Sequence, residues 1–132
     1  RYSGGGYLLL ELLVEEVSGE AFDTYVEREV LRPLGMTRSG YADLASIPDA
    51  AGSYDPQGQP VEIGRYASKA ATGFTTSAGD MVRWVQAHVH PTPGRGLAAS
   101  TLRTMRSPQA TAMGVEIWGL GTVLYAPTAR GD

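Results

Sequence analysis

The sequence holds 132 residues, 42% hydrophobic and 19% charged; a single domain of about this size buries roughly two thirds of its unfolded surface. A formal charge of −3 without a basic cluster excludes the electrostatic footprint of a nucleic-acid binder. The lack of cysteine excludes a disulfide framework, a thiolate zinc site and a cysteine nucleophile, but leaves the compartment open because exported proteins can also lack cysteine.

The first predicted element runs from Tyr7 to Val17. Apolar side chains cover nearly its whole circumference, which suits a core helix with neighbours on several sides, and Glu11, Glu15 and Glu16 form a narrow wet stripe. It is no targeting segment, having no basic lead beyond Arg1, and it is too short and too charged to span a bilayer. Ser18-Gly19 supplies the stop, since glycine accepts the left-handed turn after a helix. A second helix is expected from about Ala21 to Leu31, with Phe22, Tyr25, Val26 and Val30 at helical spacing and Pro33 ending it.

Residues 37–73 are rich in turn formers, and Asp55-Pro56-Gln57-Gly58 between Tyr54 and Val61 predicts a short hairpin. So long a loop region is usually functional or braced from elsewhere. Ser77, with Asp80 three residues on, forms a capping pattern for a helix whose Met81, Trp84, Val85 and His88 share a face. Pro91-Thr92-Pro93-Gly94 breaks that helix. A short helix follows over Ser100–Arg106. Val115 to Tyr125 then reads as a strand, which needs a partner from the hairpin or from outside these residues. The fold class is mainly α with short β segments.

Most routes to chemistry close on inspection. There is no Gly-x-Ser-x-Gly elbow. Gly4-Gly5-Gly6 before a helix lacks the spacing and the Lys-Ser/Thr of a phosphate loop, and reads as a flexible helix entry. His88 and His90 do not share a helix face and have no acidic or cysteine companions, so no metal site is expected. Trp84 and Trp118 read as core. Glu11 and Glu15 share a face, but nothing in the sequence raises either pKa for acid–base work. Tyr2-Ser3-Gly4 alone is no more than a terminal aromatic before a helix.

The order of motifs says more. A tyrosine motif, a Leu-rich helix, Val17-Ser18-Gly19-Glu20 and an amphipathic helix are followed by Leu31-Arg32-Pro33-Leu34-Gly35-Met36 and Thr37-Arg38-Ser39-Gly40-Tyr41. Ala71 to Trp84 and Trp118-Gly119-Leu120-Gly121 come later in the same order. Together they resemble the β-lactamase-like serine hydrolases: class C β-lactamases, related esterases and DD-peptidases. The resemblance implies a partial β-lactamase/transpeptidase-like α/β fold, its helical region plus one strand of the sheet, with residues 1–132 as one segment of a larger catalytic domain.

It also implies that Tyr2 takes part in proton transfer near a nucleophilic serine. A free tyrosine titrates at about 10, so that role requires cationic neighbours. Gly4 stands at the substrate-binding position where the family commonly has asparagine, which weakens the case for a β-lactamase and leaves esterase or peptidase chemistry open. The Ser-x-x-Lys nucleophile motif is absent: the only lysine is Lys69, and Tyr66 stands three residues before it. The Lys-Thr-Gly or His-x-Gly motif is absent as well. Without the serine there is no acyl-enzyme, so this chain alone is expected to be inactive. The complete parent would take an ester or amide substrate with no metal or organic cofactor. The alternative is a non-catalytic helical interaction module whose apolar first helix favours a homo-oligomer.

Overall fold

The computed structural model describes residues 4–62, 64, 68–92, 97–112 and 115–124. Helices dominate, with one short antiparallel strand pair, as the composition and periodicity predict. The chain separates into two compact units, Arg1–Trp84 and Val85–Asp132.

In the first unit, α1 (Gly4–Ser18) ends as expected at Gly19, whose φ of 70° is the left-handed turn that glycine tolerates. Its side chains contradict the sequence reading. Leu8, Leu9, Leu10, Leu12, Leu13 and Val17 are exposed, whereas Glu11 is buried. The helix packs on α2 (Phe22–Val26), so its leucines have few described neighbours to cover them.

The second helix does not stop at Pro33. After α2 the backbone widens into a π-helical turn (Glu27–Leu31) and continues as α3 (Arg32–Leu34). A proline in a helix loses one N–H and crowds the carbonyl four residues back. The wider turn just before Pro33, and its place at the start of α3, let the chain pass through. Gly35, with φ 71°, ends the helix instead. Gly35 N–H donates to the Arg32 carbonyl at 3.0 Å and Met36 N–H to the Leu31 carbonyl at 2.9 Å, the paired bonds of a Schellman stop. Leu31, Leu34 and Met36 form the buried apolar centre of this unit.

The loop that follows is braced. Gly40 and Thr75 exchange backbone hydrogen bonds at 2.9 and 2.8 Å. Asp43 caps a 3₁₀ turn (Leu44–Ser46) through a 3.2 Å bond from the Ala45 N–H. The predicted hairpin turn is present: Tyr54 bridges Pro60, and the Asp55 carboxylate accepts from the amides of Gln57 and Gln59 at 2.9 and 2.7 Å. Then α4 (Ala78–Val89) begins at Ser77, whose hydroxyl accepts from the Asp80 N–H at 3.2 Å. That is the expected cap.

In the second unit, α5 (Ala99–Met105) buries Leu102. The expected long strand is broken. Its first part, β2 (Val115–Trp118), pairs antiparallel with β1 (Ala110–Ala112), and the backbone turns at 119–122 so that Trp118 bridges Val123. Its partner is therefore a neighbouring segment, not the hairpin near Tyr54; Tyr125 lies outside the described residues. Gly119 makes the turn feasible, since a Cβ there would lie 1.9 Å from the Met105 carbonyl oxygen. No side chain fits.

Candidate functional site

Of the two residues singled out in the sequence, Tyr2 lies outside the described residues. Gly4 opens α1, and a Cβ built on it would meet no atom within 4 Å. Among the described residues, crowding at the Cβ position therefore does not require glycine there.

Separations of 46 (Asp23 to Lys69), 57 and 59 residues are closed by two carboxylates that sequence reasoning assigned no such role. Glu11, on α1, accepts hydrogen bonds from the Ser68 hydroxyl at 2.8 Å and the Ala70 N–H at 3.0 Å. Asp23, on α2, meets the Lys69 ammonium at 2.6 Å. Three successive residues, Ser68, Lys69 and Ala70, are thus held by side chains from two helices. Glu15, one turn beyond Glu11, accepts from the Phe22 N–H at 2.9 Å and ties α1 to the start of α2. Of the supposed wet stripe, Glu11 and Glu15 form the docking edge of the helix, and Glu16 alone is exposed as expected.

The electrostatics follow from these partners. Burial pushes the Glu11 carboxyl up, but the Ala70 amide, the Ser68 hydroxyl and the Lys69 charge outweigh it and hold the group below the usual carboxylate range. The hydrogen bond from Lys69 does the same for Asp23 against a smaller burial penalty. Tyr41 stacks edge-on between Phe22 and Phe74, with ring centroids 5.8 and 5.4 Å away. Burial, and then the charges of Glu11 and Asp23, push its phenol up. Tyr41 is thus held protonated and is no proton acceptor at neutral pH.

Asp80 does a similar task at the head of α4. Its carboxylate is 1% exposed and accepts from the Arg38 N–H at 2.7 Å, the Ser39 hydroxyl at 2.7 Å and the Arg83 guanidinium at 2.8 Å. Burial raises its pKa, and the hydrogen bonds of Ser39 and Arg38 with the Arg83 charge lower it further than burial raises it. Besides taking part in the expected cap through its N–H, Asp80 anchors through its carboxylate the loop that begins at Thr37. Ser39 also bonds the Thr76 hydroxyl at 2.8 Å.

Beyond this anchor lies an open cleft of about 960 Å³, walled by the start of α2, the loop carrying Arg38 to Tyr41, the turn at Asp49 and the entry to α4. Leu44 and Ile47 contribute apolar surface. Gly4 does not line it. Lys69 is committed to Asp23, and no group of three or more metal-ligating side chains occurs among the described residues. Nor is any described helix long and apolar enough to cross a membrane. The described residues thus form a scaffold of charge-assisted clamps beside an open cleft of mixed polar and apolar lining.

Glu11 left a trace in the sequence: it is the lone charge within Tyr7–Val14 of an otherwise apolar helix. A carboxylate so placed signals buried donors as readily as a solvent stripe.

Comparison with known proteins agrees with the motif order. A family model described as Beta-lactamase matches residues 1–131. A beta-lactamase of Pseudomonas fluorescens is 30% identical over 96 residues, covering 68% of this chain and 26% of that protein. Among solved structures, the octameric penicillin-binding protein homologue from Pyrococcus abyssi superposes with a TM-score of 0.78 at 25% identity, over 91% of this chain and 29% of the other. The penicillin-binding protein from Bacillus halodurans gives a TM-score of 0.67 at 28% identity, over 84% and 35%. The chain spans about a quarter of the Pseudomonas fluorescens relative and about a third of these structures.

Proposed function

The chain belongs to the beta-lactamase family, and from that premise we propose that it is the tyrosine-bearing middle of a serine hydrolase working through an acyl-enzyme. The relatives are beta-lactamases and penicillin-binding proteins. In this reading residues 1–132 are one segment of a larger catalytic domain, and the parent acylates its serine with an ester or amide before water releases the product. Tyr2 shuttles the proton, and Gly4 stands at the family's substrate-binding position. Gly4 in place of asparagine favours an esterase or peptidase over a β-lactamase.

The observation that carries this reading is the family match over residues 1–131, with the tyrosine motif at its head and no Ser-x-x-Lys within it. These 132 residues by themselves are therefore inactive. They should hydrolyse neither nitrocefin nor p-nitrophenyl acetate above background. Turnover that Tyr2→Phe abolishes would overturn the inactivity.

A second reading rests on the exposed leucines of α1, where Leu9 is 68% and Val17 78% exposed. Apolar surface of that kind is an interaction face. A non-catalytic module that self-associates would use it, and the Pyrococcus abyssi homologue is described as octameric. A compact monomer by size-exclusion chromatography, with no dye-binding apolar surface, would remove this reading.

A further inference from the structure

We draw no further inference here: the strongest candidate, the exposed apolar patch on α1 formed by Leu9, Leu12, Leu13 and Val17, carries none, because nothing among the described residues shows what covers it.

Discussion

Helices α1 and α4 each bury a single residue, and in both it is a carboxylate: Glu11 in one, Asp80 in the other. They differ in where the partners come from. Asp80 binds Arg83 three residues on and sits in a helix start marked by Ser77, so its neighbourhood is half written in local sequence. Glu11 takes its donors from Ser68 and Ala70, 57 and 59 residues away. Local patterning finds the first kind of site and misses the second. Buried polar groups go where donors converge.

Acid is the broadest way to break both anchors. Glu11, Asp23 and Asp80 all have folded pKa values below their ordinary ones. The unfolded chain therefore binds more protons once pH falls below about 4, the ordinary carboxylate range. Their stabilisation is complete above that range and is lost as pH drops through the folded values. Urea midpoints measured from pH 7 down to pH 3 should fall steeply below about 4.5; a flat profile would mean that the clamps do not hold in solution.

Asp80→Ala should follow in size. It strands the Arg38 N–H, the Ser39 hydroxyl and the half-exposed Arg83, for a loss of about 3 kcal/mol in chemical denaturation. Glu11→Ala strands two neutral donors and should cost about 2 kcal/mol, with Glu11→Gln closer to 1. If Glu11→Leu instead stabilised the protein, α1 would be the hydrocarbon-seeking core helix that its composition suggests. Ser77→Ala removes only the cap of α4 and should cost about 1 kcal/mol. Leu9→Lys, on the exposed face of α1, should change stability by no more than about 0.5 kcal/mol. A larger loss, or one that varies with protein concentration, would show that the face is covered in solution.

Much of the architecture was legible because it is written locally. Gly19 as a stop, Ser77 as a cap, the Asp55 turn and the helix near Ser100 each depend on a few adjacent residues. Three readings failed for reasons of distance or strain relief. Pro33 was taken as a terminus because a widened turn before it cannot be seen in a periodicity. The strand from Val115 was taken as unbroken because only the approach of Met105 shows why Gly119 must turn. Glu11 was assigned to water because its donors lie in a loop whose path no local rule gives. Of the candidate site, the family came through the order of motifs; the anchors and the cleft are tertiary features.

The π-helical turn at Glu27–Leu31 leaves a mark on how this helix can tolerate change in length. Each residue of an α-helix advances the chain by about 100° around the axis, so a widened turn stores close to one surplus residue of rotation. Leu31, Leu34 and Met36 lie downstream of that surplus and reach the interior only in the phase it sets. Removing one residue from Glu27–Val30 would let the backbone relax to ordinary winding while keeping these three in phase. The same deletion in α1 would swing Glu11 off its donors.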